Sequence, residues 1–320
     1  MPLEPVTQAF LALMAEGDAP PIHESTPAIA RMSGPVLAGL SGPGPEVGEV
    51  RDLKLAGWGG GRFRVRVLRP EGEPRAVIVY FHGGGWVIGD IDLQYDHLGR
   101  DLANQTSATV VLVNYRKAPE HPFPAGIEDS YAGLRWAAEH AGELAAEGAP
   151  LIVAGDSAGG NISAVMTLWA RDRGGPRIDY QVLVYPVTDC DLDTESSLAP
   201  ENQLLLSRDT MAWFWRHYLP DEAARSHPDA SPLRAESHAG LPPALVYVAE
   251  YDPLHDEGVA YARALKDAGV PVVLEEAAGQ MHAYFQMAKI LPGYEEGVRL
   301  VADHVNAFVA AFPGSSAEGA

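Results

Sequence analysis

A serine hydroxyl is a useful nucleophile only when a base takes its proton and a third group orients that base. One serine sits where such activation can be built, in Gly155-Asp156-Ser157-Ala158-Gly159 within "LIVAGDSAGGNISAVMTLWA". An apolar strand pattern runs into this GxSxG turn and a helical pattern leaves it. That context suits a sharp turn that lifts Ser157 out of a sheet, with small neighbours letting strand and helix pass. A phosphate-binding loop is the rival for a glycine-rich turn of this kind. No Lys follows as in GxxxxGK[ST], and no GxGxxG is present, so that rival fails.

At strand-to-helix serines of this type the acid and then the histidine follow along the chain. Of the 11 histidines, His217, His227, His238, His255, His282 and His304 come after Ser157. His282, in "AAGQMHAYF" just past the apolar run "PVVLEE", can be carried over the serine by a loop. His304 falls in a terminal helical pattern, and His217, His227 and His238 belong to an inter-strand segment or its exit. For the acid, Asp252 ends the strand pattern "LVYVAEYD", and Pro253 opens the next helix. Asp189, after "YQVLVYPVTD", is a second candidate on the same sheet edge, whereas Asp256 and Glu257 suit the first turn of a helix.

Attack on an ester carbonyl puts negative charge on oxygen, and fixed N–H donors aimed at that oxygen lower the barrier by several kcal/mol. "VYFHGGGWVIGD" ends a strand in His82-Gly83-Gly84-Gly85, backbone that a reacting group can approach closely. The spacing predicts donors at Gly83 and Gly84, with Gly85 supporting the loop and Ala158, the residue after the nucleophile, as the third donor. His82 is read as a shaping residue.

The elements that must hold these groups recur as short β-branched runs with helical stretches between them. "GRFRVRVLRP", "RAVIVYFHG", "ATVVLVNY", "PLIVAGDS", "YQVLVYP", "ALVYVAEYD" and "PVVLEEA" follow "EVRDLKLAG", giving eight strands. The first two alternate polar and apolar, as an antiparallel edge does. From Ala76 the runs are nearly all apolar, as in a mostly parallel sheet flanked by helices. Residues 1–45 and 190–235 fall outside the alternation and predict two helical segments of a cap over the carboxyl edge of the sheet, where open α/β sheets bind ligands. The core is then 46–189 and 236–312, one structural domain overall, with 313–320 a disordered tail. Trp86, Trp213, Phe214 and Trp215 are candidate walls of a substrate pocket.

The net charge of −20 excludes a nucleic-acid partner, since no basic face can neutralise phosphates. The sequence shows no membrane-spanning run and no signal peptide, which predicts a cytoplasmic protein. Cys190 is the sole cysteine, so neither a disulfide nor a thiolate metal cage can form. No metal or other cofactor is expected.

"FHGGGWVIGD", "NYRKAPEHPFPAGIED", "VAGDSAGGN", "EYDPLHDEG" and the "MHAYF" region together resemble the bacterial hormone-sensitive-lipase-like carboxylesterases, over residues 1 to about 312. The resemblance implies an α/β-hydrolase fold and a Ser157, Asp252, His282 triad, choosing Asp252 over Asp189. It also implies an oxyanion hole from Gly83, Gly84 and Ala158, and cofactor-free hydrolysis of a small-molecule ester of short to medium acyl chain. A lactone, an acetyl ester or an amide could be cleaved by the same groups, and a receptor without turnover is the reading from another class. Relatives often pair through the last strand and helix, so by analogy "PVVLEEA" is an edge open to a homodimer. The chain departs from the family at Ala283 (usually Gly), Lys117 (usually Leu) and His255 (usually Arg). Glu120, His121 and Asp129 match family positions and are read as scaffolding.

Overall fold

Where the sequence stops alternating, the sheet turns parallel. The computed structural model describes residues 1–17, 20–92 and 94–313, so the expected tail lies outside the described residues from 314 onward. Strands β1 (Glu49–Ala56) and β2 (Arg62–Arg69) pair antiparallel, and β2 pairs antiparallel with β4 (Thr109–Asn114). β3 (Val77–Phe81), β5 (Leu151–Asp156), β6 (Tyr180–Val184), β7 (Ala244–Tyr251) and β8 (Val272–Met281) continue in parallel from β4. The order is β1-β2-β4-β3-β5-β6-β7-β8, an eight-stranded, mostly parallel sheet.

Every residue of β3, β5 and β6 is buried because apolar side chains pack on both faces. Val79, Phe81, Val111 and Val153 share one cluster with the helices Ala125–Glu139 and Ala158–Asp172. Their strand neighbours Ile78, Tyr80, Leu112 and Ile152 face the helices Tyr95–Thr106 and Gly293–Ala311. Alternation along each strand thus fills two cores from one sheet.

β8 runs further than its apolar residues suggest. It continues through Ala277, Ala278 and Gly279 to Met281, with a register shift against β7 between Ala249 and Tyr251. Small residues disguised this stretch as a loop, so His282 follows the strand directly. The expected helix after Asp252 begins at His255, because Asp252 Oδ1 first accepts the Leu254 N–H at 2.8 Å in a turn.

Outside the alternation, residues 5–41 contain the helices Pro5–Ala15, Pro27–Ala30 and Ser33–Ser41, and the later segment contains the aromatic helix Arg208–Tyr218. The two segments meet: Trp213 Nε1–H donates to the Ser25 carbonyl at 3.1 Å. Among the described residues no helix is long and apolar enough to cross a membrane.

Asp129 is fully buried and accepts from Arg116 Nε at 2.7 Å, Arg116 Nη2 at 2.8 Å, the Arg116 amide at 3.2 Å and the Trp58 amide at 3.1 Å. One carboxylate thereby ties the helix after β4 to the β1–β2 turn, the scaffolding role expected of it. Removing one partner of a buried pair costs about 3–5 kcal/mol, against less than about 1 for an exposed pair. Asp129→Ala is expected to lower urea-unfolding stability by about that larger amount, while Asp172→Ala, which breaks the exposed pair with Arg171, stays within about 1 kcal/mol.

Candidate active site

β5 ends at Asp156, and the next helix starts at Ala158, leaving Ser157 to make the whole turn at φ 56° and ψ −120°. A non-glycine residue adopts such a backbone only when its surroundings over-determine it. Here they do: the Ser157 amide donates to the Val184 carbonyl at 2.9 Å, and the Ser157 carbonyl accepts from Val187 at 3.2 Å and Asn161 at 3.0 Å. The crossing is close enough that a Cβ on Gly159 would lie 1.9 Å from the Phe81 carbonyl oxygen, so helix and sheet can meet only through glycine there.

His282 and Asp252 arrive from the neighbouring strand ends. His282 Nε2 lies 3.0 Å from Ser157 Oγ, and Nδ1 lies 2.6 Å from Asp252 Oδ2. A carboxylate beside Nδ1 fixes the proton there, so Nε2 presents its lone pair to the serine. Ser157, His282 and Asp252 are all at least nine-tenths buried, and the Tyr185 ring packs 4.5 Å from the imidazole. The Asp252 carbonyl accepts from Asn202 Nδ2 at 3.3 Å, which joins this turn to the segment after β6. Asp189, the other candidate acid, is ion-paired with Arg234 instead. Ala283 sits at φ 72°, the left-handed region, which gives a physical reason for the glycine usual at this position.

Glu257 does more than suit the first turn of its helix. It is 4% exposed and accepts from the Thr188 amide at 2.7 Å and the Asp189 amide at 3.3 Å, holding the segment after β6, and burial pushes its carboxyl well above the usual range.

The glycine loop requires a correction. Gly83 N–H points into the protein, 2.9 Å from Tyr95 Oη and 3.1 Å from Asp156 Oδ1, and is therefore spent. Gly84 and Gly85 N–H make no hydrogen bond among the described residues, and the Ala158 N–H, first in its helix, has no preceding carbonyl to bond. The unengaged donors are Gly84, Gly85 and Ala158, one residue along from the expected pair. The signal available in the sequence was that β3 ends at Phe81, so the next amides are the first candidates for tying the loop back to the sheet.

Asp156 was likewise missed. Its carboxylate is fully buried and accepts from Tyr80 and Tyr95 hydroxyls, each at 2.9 Å. Burial lifts it to about 6, opposed by those hydrogen bonds. His82 turns Nδ1 to the Gly83 carbonyl at 2.7 Å and stacks on Tyr115 at 4.3 Å, and burial holds its pKa well below the usual value. It is a neutral shaping residue, as read from the sequence.

Trp86, Trp213, Phe214 and Trp215 are 1–4% exposed, so close packing accounts for them before any open pocket does. Trp86 stacks on Tyr218 at 4.1 Å and lies 4.8 Å from Trp215. The Phe214 ring covers the glycine loop, where a Cβ on Gly85 would come within 2.2 Å of it. From the N-terminal segment, Arg31 clamps the same region, donating to the Val87 and Ala118 carbonyls at 2.8 Å each and pairing with Glu120 at 2.7 Å. The Arg31 hydrogen bond draws Glu120 down to about 2.

Residues 78–286 match the α/β-hydrolase fold family. Carboxylesterase NlhH of Mycobacterium tuberculosis is 45% identical over 223 residues, 69% of this chain and 70% of that one. Ethyl acetate hydrolase of Pseudomonas putida is 35% identical over 95% of this chain and 98% of its own. Among solved structures, the hyperthermophilic esterase of Pyrobaculum calidifontis superposes with a TM-score of 0.88 at 38% identity, covering 97% of this chain and all of that one.

Gly85→Ala is expected to destabilise the fold by roughly 1–3 kcal/mol through overpacking against Phe214. Adding Phe214→Ala should recover part of that loss, and a double-mutant cycle from urea melts reads the coupling. Simple additivity would contradict the contact.

Proposed function

Because the chain belongs to the α/β-hydrolase family, as a carboxylesterase of the bacterial hormone-sensitive-lipase-like branch, we propose that it cleaves short- to medium-chain acyl esters through Ser157, His282 and Asp252. The observation that carries this reading is the continuous contact from Ser157 Oγ through the His282 imidazole to the Asp252 carboxylate, at 3.0 and 2.6 Å.

His282 Nε2 takes the hydroxyl proton as Ser157 Oγ bonds to the carbonyl carbon. Asp252 stabilises the imidazolium and keeps the ring in register. The carbonyl oxygen becomes an anion and is met by the Gly84, Gly85 and Ala158 N–H groups, which need no reorganisation because glycine loop and helix start are already fixed. Collapse expels the alcohol, protonated by His282, and leaves an acyl group on Ser157. Water, deprotonated by the same Nε2, then attacks the acyl carbon and releases the acid. No step calls for a metal or a redox partner.

Residues 1–45 and 190–235 act in this reading as one cap, joined by the Trp213 to Ser25 bond and clamped onto the glycine loop by Arg31. The size of the acyl group is supported by the name of the Pseudomonas putida relative, whose ester carries an acetyl group.

Release of p-nitrophenol from a chain-length series of p-nitrophenyl esters is expected to peak at short or medium acyl chains. Ser157→Ala and Asp252→Asn should each lower kcat by about 10⁴-fold, the scale on which triad members act, with the fold retained by circular dichroism. A Ser157→Ala protein that keeps its rate would sink the mechanism.

A further inference from the structure

A cavity of about 570 Å³ lies over β2 and β4, on the side of β3 away from β5, and neither Ser157, His282 nor Asp252 lines it. The volume falls within the range of small-molecule sites, roughly 300–1,000 Å³. Its wall includes Lys117 and the β2 residues Arg62 and Arg64, with Asn114 from the end of β4 and Gly89 and Asp90 from the segment that continues the glycine loop.

The charges in this wall do not cancel. Arg31, Arg64 and Arg116 are engaged by Glu120, Asp92 and Asp129. Lys117 and Arg62 line the same cavity and make no ion pair among the described residues. The Lys117 ammonium donates to Asn114 Oδ1 at 2.5 Å and to the Tyr115 carbonyl at 3.3 Å. An ammonium carries three N–H donors, so one remains. Burial, reinforced by Arg31 and Arg64 and opposed by Asp90 and Asp92, lowers Lys117 to about 8, which still leaves it charged at neutral pH. Among the described residues Asp90 is the one lining carboxylate without an ion pair, and it leaves Lys117 and Arg62 with a surplus of one positive charge in a chain of net charge −20.

We propose that this cavity is a second binding site, separate from the serine, for a small monocarboxylate, its acid group received by Lys117 and Arg62. Lys117 stands where the resembled family usually has Leu. The inference does not depend on the proposed ester hydrolysis.

Only four lysines are present, and Lys54, Lys266 and Lys289 are exposed, which makes Lys117 separable by mass spectrometry. The full-length protein is reductively methylated with formaldehyde and dimethylamine–borane in the presence of 3-phenylpropionate or its neutral amide. At about ten times Kd the acid should slow methylation at Lys117 about tenfold and leave the other three lysines unchanged, while the amide protects far less. Equal protection by acid and amide, or none by either, overturns the proposal. In calorimetry Lys117→Met should lose the 3-phenylpropionate binding of the native protein. Unchanged binding by that variant would put the acid elsewhere and overturn it as well. The methylation arm uses the native protein, so it decides the matter even if the variant folds poorly.

Discussion

A buried carboxylate whose charge is met by a few fixed donors organises this site. Asp156 is fully enclosed and bound by the Tyr80 and Tyr95 hydroxyls and the Gly83 amide. An unpaired charge in that position would be prohibitive, so the donors cannot drift. Asp156 precedes Ser157, and Gly83 precedes Gly84 and Gly85. The same carboxylate therefore fixes the backbone that carries the serine and the backbone that offers its free amides.

The sheet supplies what one carboxylate cannot. β3 and β5 are adjacent and parallel, so their carboxyl ends deliver the glycine loop and the serine turn side by side. β7 and β8 do the same for Asp252 and His282. Strain at Ser157 persists because the amide and carbonyl of that residue are tied to the ends of β6 and of its own helix. A tight crossing through Gly159 and a strained serine are two sides of one requirement: the side chain must stand above the sheet while helix and strand stay in contact.

Segments outside the alternation close the region from two directions. Arg31 reaches Val87, Ala118 and Glu120 from the N-terminal helices, and Phe214 lies over Gly85 from the aromatic helix. Both contacts fall on the loop that bears the free amides, so its shape is set from above as well as from Asp156 below. The cavity at Lys117 borders the same stretch through Gly89, where a Cβ would lie 2.6 Å from the Gly83 carbonyl oxygen.

The sequence by itself determined the parts of this arrangement that are local or periodic. Continuous apolar runs marked the parallel strands and alternation marked the antiparallel edge, because burial on two faces or one leaves those patterns. Small residues around Ser157 marked the turn, since its sterics are written within five positions. Chain order and strand ends brought His282 forward and left Asp252 and Asp189 as candidate acids, between which the family resemblance chose, though β8 ran on through small residues that carry no strand signal. Tertiary structure alone decided how hydrogen bonds are shared out. Gly83 looked like its neighbours until Tyr95 and Asp156 closed on its amide, and Lys117 looked like a loop charge until the fold gathered it with Arg62 around one cavity. Each of those outcomes depends on groups far apart in the chain competing for the same few donors and acceptors, and that competition exists only once the sheet has brought them together.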